Sequence, residues 1–159
     1  QSKREQTDGP TEEGFTALGD LVKAAEDSGV KIAIENTMQP SLLDPIFTRI
    51  QSDHLGFCYD TSHDFLYSPK PGELLERWGN RLLVTHLGDN DGVFDRHWLP
   101  GLGVIDWKEI AHWLPIKSYK GSLMLEVFSK DQEKESASAF MASAYQYINW
   151  FYTLLEGEG

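Results

Sequence analysis

The sequence predicts an α/β chain in which helices cover a parallel sheet, and three observations predict it. Segments of helical period alternate four times with short apolar runs. Those runs are apolar throughout, as in parallel strands buried on both faces, rather than alternating as half-solvated strands do. Each run also ends in a side chain able to bind a cation or move a proton: Glu35, Asp60, His86 and Glu126.

Residues 1–10 (QSKREQTDGP) are polar, have nothing to pack, and read as a loop continuing from a longer protein. Thr11 is a candidate N-cap, with Glu12 and Glu13 in the first turn where the helix dipole favours negative charge. Phe15, Leu18, Leu21, Val22 and Ala25 then recur at helical spacing, and Gly29 ends the helix. Val30 to Ile34 is the first strand, with Glu35 at its tip. Ser41 is expected to cap a second helix carrying Leu43, Ile46, Phe47 and Ile50.

Leu55 to Tyr59 is the second strand, with Asp60 and His63 just beyond it. Pro71 opens a short helix through Leu74, Leu75 and Trp78. Arg81 to Thr85 is the third strand, closed by His86 and followed by a long polar loop. Asp106 caps a helix containing Trp107, Ile110, Ala111 and Leu114. Ser122 to Leu125 is the fourth strand, with Glu126 at its tip. A last helix runs from about Gln132 to Leu155, and its stripe of Phe140, Tyr145, Ile148, Phe151, Tyr152 and Leu155 reads as core packing.

The 159 residues, 40% of them hydrophobic, suit one domain spanning 1–159. A net charge of −11 disfavours nucleic acid and anionic membrane surfaces, because phosphates are repelled. No apolar run reaches the length of a membrane span, and no signal peptide opens the chain, so the expected location is cytoplasmic. The single Cys58 excludes an internal disulfide and reads as a small buried hydrophobe.

The four strand-tip residues are 25, 26 and 40 residues apart, each interval being one strand-plus-helix unit. Neighbouring strands lie about 4.8 Å apart, and in a closed barrel their C-terminal ends converge on one mouth. Glu35, Asp60, His86 and Glu126 are therefore expected around one point. Three carboxylates and an imidazole suit one divalent metal such as Mn²⁺, Mg²⁺, Co²⁺ or Zn²⁺, with no organic cofactor. Within the polar loop, Asp89 and Asp91 are assigned to shaping the loop or supporting the site.

The segments IAIEN, CYDTSHD, THLGDNDG, DRH, PGLGVIDW and LMLEVF carry a resemblance. Over about residues 11–155 the chain resembles the second half of the xylose-isomerase-like (β/α)₈ barrels. These include sugar and sugar-phosphate isomerases and epimerases, and zinc-dependent apurinic-site endonucleases. The resemblance implies four βα units matching the C-terminal half of such a barrel. In the sugar branch, Glu35, Asp60, His86 and Glu126 match the ligands of one metal, and His63 matches a substrate-binding residue. In the endonuclease branch, His63, Asp95 and His97 match the ligands of a second metal.

For the chemistry, the resemblance implies proton abstraction beside a carbonyl of a sugar or sugar phosphate, through an enediolate. Glu35 and Glu126 are then the candidate catalytic acid/base pair. Arg96 is a candidate clamp on a distal hydroxyl or phosphate. The alternatives are an endonuclease-like phosphodiester hydrolase and a barrel fragment without turnover. A full barrel takes about 250 residues, so the expected partner is the N-terminal half of the barrel, or a second copy meeting this one through open sheet edges.

Overall fold

The computed structural model describes residues 9–114, 118–129 and 135–157. Its centre is a three-stranded parallel sheet in the order β1-β2-β3, formed by Ile32–Glu35, Leu55–Asp60 and Leu82–His86. All six residues of β2 are buried, as expected of a middle strand covered on both faces. Its Leu55, Phe57 and Tyr59 join Phe47, Leu74, Trp107, Ile110 and Phe151 in one core. Full burial of a large apolar side chain such as Phe47 or Phe57 contributes about 1.5–3 kcal/mol. The alternate residue Asp60 is thereby carried on the opposite side of the strand, at the sheet edge where the site lies.

Before the sheet, α1 spans Glu12–Ser28. The Thr11 hydroxyl accepts the Gly14 N–H, and Gly29 closes the helix, as the sequence predicts. The second helix differs from expectation. A 3₁₀ turn over Pro40–Leu42 leads into α2, Leu43–Arg49, and no side chain caps it. Pro40 presets the first turn, so Ser41 lies within it instead of in front of it.

After β2 the chain turns directly into α3, Thr61–Tyr67, a helix the sequence reading does not anticipate. The Asp60 side chain caps it by accepting the His63 N–H at 2.7 Å. The next helix, α4, spans Glu73–Trp78 and starts two residues after the predicted Pro71. Gly72 has φ 84°, outside helical space, and a Cβ there would lie 2.3 Å from the Trp113 ring. The helix therefore begins after it. A 3₁₀ turn, Gly79–Arg81, connects α4 to β3.

The fourth predicted strand is reduced to one parallel bridge, Leu87 with Leu125. Leu87 N–H donates to Met124 O at 2.9 Å and Glu126 N–H to Leu87 O at 3.1 Å. One step earlier, Met124 N–H turns to the Thr85 hydroxyl at 3.0 Å, which interrupts the ladder. The segment still runs parallel to its neighbour and delivers Glu126 to the same edge. The other side of β1 is unpaired among the described residues, and Val30, Ala33 and Met38 are exposed near it.

Asp106 caps α5, Trp107–Trp113, as predicted. Helix α6, Ala137–Gly157, packs on α5 with the Trp107 and Phe151 rings edge to face at 5.1 Å. Its covered face is narrower than the aromatic stripe suggests. Ala144, Phe151 and Leu155 are buried with Ile148 against them, but Tyr145 is 69% exposed and Tyr152 is 45% exposed. One small helix cannot cover both sides of a 21-residue amphipath. Residues 1–8 of the expected loop over 1–10, and the predicted helix start at Gln132, lie outside the described residues.

Candidate metal centre

Each strand delivers one donor, and register aligns them. Asp60 and His86 are paired positions on β2 and β3, while Glu35 ends β1 opposite Cys58. Ligand atoms of Glu35, Asp60, His86 and Glu126 all lie within 4.8 Å of one another. His86 Nδ1 is 2.6 Å from Glu126 Oε2 and 3.3 Å from Glu35 Oε2. It is buried, yet among the described residues no neighbour meets it with hydrogen-bonding geometry. Donor atoms that converge without bonding one another are arranged as the ligands of a cation, so this set fits a divalent metal.

The electrostatics agree. The Asp60 carboxyl is pushed up to about 6, first by burial, with Glu35 and Asp95 adding repulsion against the His63 N–H and charge. Burial opposes a charge on His63, but Asp60, Asp95 and Glu35 outweigh it and raise its pKa. A cation held beside the Asp60 carboxyl would favour its ionised form. The Cys58 thiol also lies within 4.8 Å of Glu35 and His86 ligand atoms. Burial and the surrounding carboxylates push it up to about 12, which keeps it a protonated, buried thiol.

His63, Asp95 and His97 form an adjoining group. Asp95 Oδ2 stands 3.1 Å from His63 Nε2 and 3.1 Å from His97 Nε2. His63 Nδ1 lies 2.8 Å from Glu35 Oε1, so its ring spans the two groups. His97 has φ 50°, the only positive φ outside glycine among the described residues. Such a backbone costs about 1–3 kcal/mol and persists where its surroundings enforce it. Here its carbonyl accepts the Phe128 N–H at 2.6 Å and its ring packs on Phe128. Arg96 stands apart from both groups: its Nε donates to Asp91 Oδ2 at 2.6 Å and its guanidinium lies over Phe94. Asp91 also accepts the Val93 and Phe94 N–H groups, and these contacts hold its carboxyl down at about 2.

Three supporting residues escape a reading limited to metal-capable types. Asn36 is buried and brackets Asp60, its side chain donating to Asp60 O and accepting from Asp60 N, both at 2.8 Å. Ser62 Oγ donates to Asp95 Oδ1 at 2.7 Å, and Asn90 Nδ2 donates to Ser62 Oγ at 3.0 Å. A polar residue directly after an apolar strand was the available signal for Asn36. Replacing Asn36 with Ala removes both bonds and leaves buried backbone groups unpaired. The expected loss is about 2 kcal/mol in urea unfolding, with weaker metal binding through the displaced Asp60.

Comparisons with known proteins place the fold in a family. The family model for the xylose isomerase-like TIM barrel matches residues 9–144, and the chain belongs to that family. An uncharacterized protein, y4fM, of Sinorhizobium fredii is 34% identical over 118 residues, covering 70% of this chain and 38% of its own length. D-psicose 3-epimerase of Enterocloster bolteae is 26% identical over 121 residues, with 70% of this chain and 38% of that protein covered. The crystal structure of a D-tagatose 3-epimerase-like protein superposes with a TM-score of 0.73 at 25% identity, over 91% of this chain and 55% of that one. The chain thus spans about two-fifths of these curated relatives and about half of the solved structure.

Proposed function

We propose that the chain carries the metal-binding half of a sugar isomerase or epimerase that moves a proton on a carbon beside a carbonyl. The observation that carries this reading is the convergence of Glu35, Asp60, His86 and Glu126 within 4.8 Å. Similarity to sugar epimerases supports the substrate class. A divalent cation, when bound, would act as a Lewis acid toward the sugar's carbonyl and hydroxyl oxygens. Glu35 and Glu126 are the proton-moving pair, one removing the proton and the other returning one. His63 donates toward the sugar oxygen, and Arg96 reaches a distal hydroxyl or phosphate after leaving Asp91.

The outer edge of β1 is unpaired among the described residues, and beyond β3 the sheet continues only as the Leu87–Leu125 bridge, so the reading includes completion of the barrel by further strands, from a longer chain or a second copy. A second reading rests on Asp95 Oδ2 lying equidistant from the His63 and His97 imidazoles. That group would hold a second zinc, as an endonuclease-like hydrolase requires. The net charge of −11 favours the sugar reading over a DNA substrate.

The test is incubation of the metal-loaded protein in deuterated water with a panel of ketoses. Deuterium at the carbon beside the carbonyl, dependent on added metal, is the expected result. No exchange into any ketose by a protein that binds one metal would reject the isomerase reading. Two bound zinc ions with cleavage of an abasic oligonucleotide would establish the hydrolase instead.

A further inference from the structure

We propose that Cys58 gives the metal centre a second, sulfur-containing ligand set, Glu35, Cys58 and His86, through which a thiophilic cation such as Cd²⁺ binds and keeps a hard ion out. This inference rests on the metal centre proposed above and concerns which ions it accepts. Cys58 alternates with Phe57 and Tyr59 along β2, so it shares the site-facing side of the strand with Asp60. Across the sheet it pairs in register with Glu35. Its sulfur and the ligand atoms of Glu35 and His86 lie within 4.8 Å of one another.

The sulfur needs no solvent opening of its own. Cys58 is 3% exposed and forms the floor of the group, whereas the Glu35 and His86 side chains are 27% and 21% exposed and form its open side. Two ligands bonded at about 2.0–2.3 Å to one tetrahedral ion stand roughly 3.5 Å apart. Closing from 4.8 Å therefore takes rotation of the Glu35 and Cys58 side chains and no movement of the sheet. Ion hardness decides between the two sets. Mn²⁺ and Mg²⁺ prefer carboxylate oxygen and suit Glu35, Asp60, His86 and Glu126, leaving Cys58 a thiol. A thiophilic ion gains more from sulfur, and its binding releases the Sγ proton to solvent. Both sets use Glu35 and His86, so the two kinds of ion exclude one another. Filling the sulfur set also ties up Glu35, a member of the proposed proton-moving pair, so thiophilic ions inhibit the hard-ion enzyme.

The probe is Cd²⁺, followed by the ultraviolet thiolate-to-cadmium charge-transfer band and by ¹¹³Cd NMR. Cys58 is the single cysteine of the chain, so a thiolate signal belongs to it alone. Titrated into the Mn²⁺-loaded parent, Cd²⁺ should raise that band to saturation at one ion per chain, with bound Mn²⁺ lost in step in equilibrium dialysis. Cys58→Ser and Cys58→Ala should abolish the band and weaken Cd²⁺ binding at least about tenfold, with Mn²⁺ affinity unchanged within about threefold. The parent's own spectrum covers the case in which neither variant folds. Cd²⁺ that binds without a thiolate band, or variants that bind it as the parent does, would overturn the role of Cys58 and leave the four-residue centre standing. A band formed without any loss of bound Mn²⁺ would overturn the exclusion of one ion by the other. A parent that binds neither ion would overturn both this inference and the centre it rests on.

Discussion

Replacing Asp89 with Ala is expected to destabilise the chain by about 3–5 kcal/mol, in the range for removing one partner from a buried charged network. Asp89 is fully buried, and its carboxylate accepts four N–H groups: Asn90, Gly101, Ile105 and the Trp107 indole. These donors come from both ends of the loop between β3 and α5, so one carboxylate closes that loop on itself. The loop packs closely on this carboxylate, since a Cβ on Gly103 would fall 2.2 Å from Asp89 Oδ1. Alanine therefore strands several buried donors at once. A urea midpoint shift equivalent to less than 1 kcal/mol would show that water replaces the carboxylate. Because Asp95 and His97 ride on this loop, the variant should also lose their alignment with His63.

Asp60→Asn is expected to act in opposite directions on stability and on metal binding. The amide oxygen can still cap α3 by accepting the His63 N–H, so the helix start is retained. Divalent-metal affinity should nevertheless fall at least about 100-fold, the upper end of what disturbing a ligand's supporting partners alone costs. The metal-free variant, by contrast, should be the more stable protein above pH 6. In the folded parent the Asp60 carboxyl titrates at about 6 instead of 3.8. The folded state therefore binds more protons than the unfolded state across that interval, and stability falls as pH rises through it. The rise corresponds to about 3 kcal/mol at full ionisation. Metal-free parent and variant should match near pH 4 and separate by about 2–3 kcal/mol at pH 7 in urea unfolding. Parallel stability profiles would show that Asp60 ionises without penalty.

The reversal explains why the sequence was informative about this site. Glu35, Asp60 and His86 break apolar runs, and a strongly apolar strand ending in an acid is a local pattern that needs no tertiary knowledge. Register then places them side by side, because parallel strands of equal repeat end at the same edge. Glu126 was legible for the same reason, although the strand predicted before it forms only a single bridge. Whether Met124 pairs with a backbone carbonyl or with the Thr85 hydroxyl is decided across 39 residues, beyond any periodicity.

Helix α3 was missed because its cap is Asp60 itself, a residue already assigned to the site. Tyr145 and Tyr152 were misplaced for a different reason. A 3.6-residue stripe reports that a helix has an apolar face, but not how much of that face its neighbours cover. The supporting residues Asn36, Ser62 and Asn90 carry no motif, since their role depends on backbone and side-chain atoms of distant segments. Arg96 reads from the sequence as a candidate clamp on a distal hydroxyl or phosphate, and the structure adds that Asp91 holds it. Releasing that contact is the conformational cost of any role it plays on substrate.

The central claim is that four residues from separate segments hold one divalent cation. Its most direct measurement is metal stoichiometry and affinity of the parent beside Glu126→Gln, by equilibrium dialysis with Mn²⁺ and Zn²⁺. Glu126 is the donor brought in by the irregular fourth segment, so its removal tests convergence without disturbing β1, β2 or β3. The prediction is at least one bound Mn²⁺ or Zn²⁺ per parent chain, with affinity for that ion reduced at least tenfold in the variant. A parent that binds neither ion, or a variant that binds as the parent does, would contradict it.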